Sequence, residues 1–113
     1  MIIRNINDKE VAETTYHAHG GGIARMILDQ RILKEIGFFA IGTLAPGKTI
    51  EAHADPAEEI YFMLSGSALM RVDDESRQVG PGDATWIPNG SLHGMVNNGE
   101  EECVVLVVAS PGR

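Results

Sequence analysis

The sequence predicts an all-β fold, a sandwich or barrel of short antiparallel strands. The chain has 113 residues with 13 glycines and 5 prolines, a content that indicates many turns. The segment 59–64 illustrates the strands: its odd-numbered residues face one side and its even-numbered residues the other. Helical periodicity is nearly absent, and many short strands separated by turns are typical of a sandwich or barrel.

The elements follow one another at short intervals. Asn7 and Glu10 are placed to cap one helical turn over residues 8–14. A loop rich in histidine and glycine follows, from His17 to Gly22. The predicted strands cover residues 23–28, 36–44, 49–53, 59–64, 68–72, 76–79, 84–87, 92–97 and 103–109.

Turn residues separate these strands. Pro46-Gly47, Ser65-Gly66 and the run from Gly80 to Gly82 each favour a reversal of the chain. The acidic residues 73–75 lie between two β-patterned segments and predict a hairpin there.

Length and composition predict one domain over residues 1–113, with a barrel core at about 36–109 and an N-terminal strand and loop extension at 1–35. The formal net charge of -7 disfavours a nucleic acid or an anionic membrane surface as partner. The single cysteine, Cys103, excludes an internal disulfide and is interpreted as a buried small hydrophobe. The first ten residues lack the pattern of a signal peptide, so we expect a cytoplasmic location.

The last strand, 103–109, is apolar on both faces. A strand with one face in water alternates between polar and apolar residues, so a continuous apolar run indicates that both faces are covered. We therefore expect a homodimer, in which a second subunit covers the outer face.

Two histidines and two carboxylates occur at spacings suited to a metal site. His53 and Asp55 are two apart and share a strand face, Glu59 has the same parity, and His93 comes from a distant strand. Imidazole together with carboxylate suits first-row divalent metals, and two histidines with one carboxylate suit non-haem Fe(II).

Further residues are candidates for the site by parity or composition. Tyr61, Met63 and Met95 share the parity of the ligands, and with Phe39 they are predicted to line the pocket. Arg25 is the cation that could hold a substrate anion if it faces inward, although a surface arginine is the simpler interpretation. His17 and His19 share a face and offer either a second metal site or a mobile pocket wall.

Both segments resemble the two motifs of the cupin superfamily. The first motif is matched by Gly47, His53, Glu59 and Gly66, with Asp55 at the place where a second histidine is usual. The second motif is matched in full, by Gly82, Pro88, Gly90, His93 and Asn97. The resemblance implies a double-stranded β-helix, or jelly-roll barrel.

The resemblance implies one fold but a range of activities. His53, Glu59 and His93 carry over as ligands of one divalent metal ion (Fe, Mn, Ni or Zn), whereas Asp55 is either a further ligand or a general base. Tyr61 is a further candidate for a catalytic group. The leading hypothesis is an Fe(II)- or Mn(II)-dependent dioxygenase acting on a small molecule. The alternatives are a metal-dependent isomerase, decarboxylase or lyase, or a cupin that binds a metabolite without chemistry.

Overall fold

The computed structural model describes residues 1–112 and contains one short helix and ten strands within them. The helix α1 spans Lys9–Ala12. In chain order the strands are β1 (Tyr16–Ala18), β2 (Gly22–Leu28), β3 (Phe38–Leu44), β4 (Thr49–His53), β5 (Glu59–Ser65), β6 (Ala68–Val72), β7 (Glu75–Val79), β8 (Ala84–Ile87), β9 (His93–Val96) and β10 (Cys103–Ala109).

The strands form two antiparallel sheets, which confirms the predicted all-β architecture. One sheet has six strands in the order β1-β2-β3-β10-β5-β8, and the other has four in the order β4-β9-β6-β7. Consecutive strands often belong to different sheets, so the chain crosses repeatedly between them. Residues that are distant in sequence, such as those of β4 and β9, thereby become neighbours.

All nine predicted strands are present, with end positions that differ by at most two residues. The unpredicted element is β1, which includes His17 of the predicted loop. Tyr16, His17 and Ala18 pair with residues 22–24 of β2, so tertiary pairing extends a segment that composition alone assigns to a loop. The strands β1 and β2 therefore add the segment 16–28 to the edge of the six-stranded sheet.

The core lies between the two sheets and is apolar. Both sheets contribute buried side chains, and Met63 and Met95 are among the most deeply buried. Cys103 is also fully buried, where its Sγ donates to the carbonyl oxygen of Ser67 at 3.1 Å. Burial raises the pKa of the Cys103 thiol, which agrees with its interpretation as a small core residue. Within residues 1–112, none of the helical structure is long and apolar enough to cross a bilayer.

Candidate metal centre

The two imidazoles of the motifs lie opposite each other on paired strands. His53 ends β4, His93 begins β9, and the two are register partners with ring centroids 4.3 Å apart. The register shifts between Ile50 and His53, where β4 passes very close to Gly94. A Cβ at Gly94 would lie 2.9 Å from the carbonyl oxygen of Ile50, so only glycine lets β4 approach this closely.

Each imidazole is oriented by a backbone carbonyl. Nδ1 of His53 lies 2.8 Å from the carbonyl oxygen of Glu51, and Nδ1 of His93 lies 2.9 Å from that of Ser91. A carbonyl oxygen only accepts, so in the neutral rings Nδ1 carries the hydrogen and Nε2 keeps its lone pair. This is the arrangement in which a histidine binds a metal through Nε2 while its other nitrogen is held in place.

Two carboxylates close the cluster. Asp55 follows β4, and its Oδ2 lies 3.2 Å from Nε2 of His53 and 3.8 Å from Nε2 of His93. Glu59 begins β5, is 3 % exposed, and places Oε2 3.4 Å from Nε2 of His93. The structure thus brings together all four residues that the motif spacing singled out, with Asp55 between the two imidazoles rather than at the edge.

The donor set fits a divalent cation. Nε2 of His93 is buried and has no hydrogen-bond partner among the described residues. Buried polar atoms normally have partners, so the position of this nitrogen beside the Glu59 carboxyl suits binding of a cation by both groups. Potential ligand atoms of Asp55, Glu59 and His93 all lie within 4.8 Å of one another. Imidazole and carboxylate donors at such distances are the chemistry that Fe(II), Mn(II) or Zn(II) requires.

The two carboxylates of the cluster influence each other's pKa. Burial raises the pKa of Glu59, and the nearby Asp55 carboxylate raises it further against the opposing effect of His93. Burial also tends to raise the pKa of Asp55, but Glu59 and the imidazoles of His53 and His93 outweigh it and leave the pKa below its ordinary value. Asp55 is therefore the carboxylate that stays ionised most readily in the metal-free protein.

A third imidazole, His19, reaches the cluster from outside both motifs. Its ring is stacked on that of His53, with centroids 3.4 Å apart and planes at 11°. Potential ligand atoms of His19, His53 and Asp55 form a second group within 4.8 Å. The histidine- and glycine-rich composition of residues 17–22 made this loop a candidate site. No carboxylate lies near it in the sequence, and nothing local indicated that the loop would reach the motif residues.

Backbone contacts hold the loop of His19 against β4. The amide of Glu51 donates to the carbonyl oxygen of His19 at 2.7 Å, and the amide of Gly21 donates to that of Thr49 at 2.8 Å. A Cβ at Gly21 would lie 2.7 Å from the Thr49 oxygen, so this approach requires glycine. The expectation that His17 and His19 share a face is wrong because His19 adopts a left-handed backbone with φ of 48°, which ends the strand alternation. His17 is exposed and lines neither of the cavities described next.

Two cavities adjoin the cluster. An inner cavity of about 70 Å³ extends between the sheets, and an outer cavity of about 270 Å³ opens beside Pro56 and Ser110. Both are lined by residues of the cluster and its surroundings: Tyr16, His19, Phe38, Asp55 and Glu59. The candidate centre therefore lies where the two cavities meet.

Of the four predicted pocket residues, one lines the inner cavity and three do not. Tyr61 lines the inner cavity. Phe39 does not, because the alternation of β3 directs Phe38 and Ala40 inward instead. Met63 and Met95 face the interior as expected, but they are packed in the core and contribute to neither cavity.

Arg25 lies away from the centre. It lines neither cavity, and its Nη1 donates to the carbonyl oxygen of Ile6 at 3.1 Å. Its neighbour Ala24 occupies the inward position on β2, so strand alternation turns Arg25 to the other face. The structure therefore favours the surface interpretation of Arg25.

The tyrosine near the centre remains a protonated phenol. The Tyr61 ring meets that of His93 edge-on, with centroids 5.7 Å apart. Burial raises the pKa of Tyr61 strongly, and the charges of Glu59 and Asp55 raise it further. Tyr61 can thus donate a hydrogen bond but is not a base. Tyr16, which the sequence did not single out, has its pKa raised by burial and by the same two carboxylates.

Comparison with known proteins gives consistent matches. A family model described as "Cupin domain" matches residues 40–109. An uncharacterised protein of Methanocaldococcus jannaschii is 31% identical over 98 residues, which cover 85% of this chain and 78% of the relative. The tetracenomycin polyketide synthase protein TcmJ of Streptomyces glaucescens is 26% identical over 96 residues, covering 84% of this chain and 64% of the relative.

Among solved structures, a predicted oxalate decarboxylase of Thermotoga maritima superimposes with a TM-score of 0.81 at 22% identity, covering 98% of this chain and 99% of that one. At this identity the likeness concerns the fold. It confirms the predicted barrel over nearly the whole chain.

Proposed function

Because this chain belongs to the cupin family, we propose that it is a metal-dependent enzyme that removes a proton from a small carbonyl compound. Such a step occurs in isomerisation, elimination and cyclisation alike. The observation that carries the proposal is the second carboxylate: Asp55 stands where the family motif has an imidazole, within 3.2 Å of His53 and 3.8 Å of His93.

The four clustered side chains have distinct parts in this proposal. His53, Glu59 and His93 are the proposed ligands, since the histidines are oriented by backbone carbonyls and the Nε2 of His93 has no partner. The bound ion supplies Lewis acidity, which polarises a substrate carbonyl and acidifies the adjacent C–H bond. The identity of the ion among Fe, Mn, Ni and Zn is left to metal analysis of the purified protein.

Asp55 is the proposed proton acceptor. It is ionised at neutral pH because its pKa lies below the ordinary value, and it borders both cavities at the centre. Tyr61 keeps its proton and can donate a hydrogen bond to a substrate oxygen in the inner cavity. The name of TcmJ, which associates one relative with polyketide synthesis, supports substrates with enolisable carbonyls.

A dioxygenase is the second candidate. Two imidazoles and one buried carboxylate form the ligand set that non-haem Fe(II) oxygenases use. His53, His93 and Glu59 are the candidates for it, since the two rings are neighbours and Oε2 of Glu59 lies 3.4 Å from Nε2 of His93. In that case Asp55 acts beside the ion as a positioning or proton-accepting group. Oxygen consumption separates this candidate from proton transfer without oxidation.

Replacement of Asp55 by asparagine tests the leading proposal. We expect Asp55→Asn to retain bound metal but to exchange the α-protons of small ketones in deuterated water at least about 100-fold more slowly, because general-base catalysis contributes roughly that much. Proton NMR measures the exchange, atomic absorption measures the metal, and an oxygen electrode monitors the same samples.

Asp74→Asn is the matched control, because Asp74 is an exposed turn carboxylate outside both cavities of the centre. Exchange by Asp55→Asn at the wild-type rate with metal in place would contradict the proposal. Loss of metal together with exchange would make Asp55 a ligand, and oxygen uptake by the wild type would favour the dioxygenase.

A further inference from the structure

We infer that the centre selects an uncharged substrate with a small apolar end and discriminates against carboxylates and other anions. This inference rests on the proposed metal-dependent function and narrows its substrate class. Three features of the site support it: the charge of its donor set, the side chains around it and the shape of the inner cavity.

The two carboxylates of the centre neutralise a divalent ion. Glu59, as a ligand, and Asp55, beside the ion as the proton acceptor, contribute two negative charges next to a doubly positive ion. If residue 55 were the imidazole that the family motif has there, the ion and its neighbouring side chains would keep one net positive charge. An anion entering this site loses hydration and gains little net Coulomb attraction in return, whereas an uncharged ligand does not incur that cost.

The surroundings provide no compensating positive charge. Over residues 1–112, no lysine or arginine lines either cavity. Arg25 is directed to the carbonyl oxygen of Ile6 instead. Anionic ligands in proteins are usually held by arginine or lysine, which are missing from these walls.

The inner cavity fits a small apolar group. Its volume is about 70 Å³, and its lining includes the short side chains of Ala24, Ala40, Val105 and Val107. Tyr61 adds a phenol that can donate to an uncharged oxygen. The wider outer cavity admits the ligand from solvent. Together these walls suit a carbonyl compound with a methyl or similar group at its inner end.

A matched pair of probes tests this inference on the metal-loaded protein. Propionamide and propionate share an ethyl group and a planar head group of the same shape, but propionate carries a negatively charged oxygen where propionamide carries an uncharged amino group. Each is titrated into the cobalt-loaded protein, and the visible absorption of Co(II) reports binding. We expect propionamide to bind at least about tenfold more tightly than propionate, with metal content unchanged after the titration.

A charge placed at the outer cavity tests the cause. Gln30 lines that cavity and is exposed, so its replacement leaves the proposed ligands intact. We expect Gln30→Lys to raise propionate affinity about fivefold and to leave propionamide affinity unchanged. Gln30→Met, similar in length but uncharged, is expected to change neither.

The outcomes separate this inference from the proposed function. A wild-type protein that takes up no divalent metal contradicts the proposed function before any probe is added. A protein with bound cobalt that binds propionate as tightly as propionamide, or that binds neither, overturns the inference alone. A Gln30→Lys variant with the wild-type ratio of affinities for the two probes also overturns the inference, because the charge of the site would then not explain the selectivity.

Discussion

At the scale of single residues, Asp55 and His19 distinguish this chain from the pattern that its motifs resemble. Asp55 is a carboxylate where the motif has an imidazole. His19 comes from a different part of the chain, and its ring centroid lies 3.4 Å from that of His53. The nitrogen lone pairs of two stacked rings lie in nearly parallel planes. They therefore do not point at a common ion. The geometry therefore favours His19 as a support for His53 rather than as a ligand of the same ion.

We expect His19→Ala to lower metal affinity by about tenfold or more. A residue that orients a ligand typically contributes 10–100-fold to metal affinity, and the stacked ring limits rotation of the His53 imidazole. Competition with a fluorescent chelator measures the affinity. His17→Ala is the control, because His17 is an exposed histidine two residues away that lines neither cavity. Equal affinities for the two variants would contradict the supporting role.

At the scale of elements, the centre depends on how the ends of strands are joined. Asn97 follows β9 and is completely buried. Its Nδ2 donates to the carbonyl oxygens of Leu44 and Glu101, both at 2.8 Å, and its Oδ1 accepts from the amide of Gly99 at 3.0 Å. One side chain thus connects the end of β3 to the turn between β9 and β10, so its place in the second motif has a structural explanation.

We expect Asn97→Ala to lower the free energy of unfolding by about 2–4 kcal/mol, because the buried carbonyl of Leu44 and two partly buried backbone groups lose their partner. Urea denaturation of the metal-free protein, followed by tryptophan fluorescence, measures the change. The control is Asn98→Ala, whose exposed side chain exchanges hydrogen bonds with Gln78 at 2.9 and 3.0 Å. We expect less than about 1 kcal/mol there, and a similar loss in both variants would argue against a special role of Asn97.

At the scale of the whole molecule, the outer face of the six-stranded sheet is apolar. Across it, Phe39, Val108, Ile60 and Trp86 form one register row, in which Ile60 is 42% and Trp86 62% exposed. The adjacent row contains Phe62, which is 37% exposed. A continuous apolar face of this kind is typical of a surface covered by a partner, and a twofold dimer covers it by using the same patch twice.

We therefore expect the protein to be a homodimer, as the apolar last strand already suggested, and Phe62→Glu to convert it to a monomer. A charge on this apolar face would be buried without a partner in the dimer. Sedimentation velocity distinguishes the chain mass of 12.2 kDa from its double. Leu69→Glu is the control, since Leu69 is equally exposed at 37% on the other sheet. A monomeric wild type would contradict the expectation.

The sequence by itself determined the strand pattern and the identity of the clustered motif residues. Alternation in β5 and the glycine and proline turns depend on local backbone preferences, which a single sequence displays directly. The spacing of His53, Asp55, Glu59 and His93 singled out side chains that the structure brings close together, and Tyr61 lines the inner cavity beside them.

Only the tertiary structure decided what surrounds that cluster. Phe38 lines the cavity instead of Phe39 because pairing with neighbouring strands fixed the phase of β3, and a shift of one residue reverses every side chain. Met63 and Met95 have inward parity but lie in the core, since parity gives a direction and not a depth. His19 reached His53 through pairing of its loop with β4, a contact between residues more than 30 positions apart that no local pattern specifies.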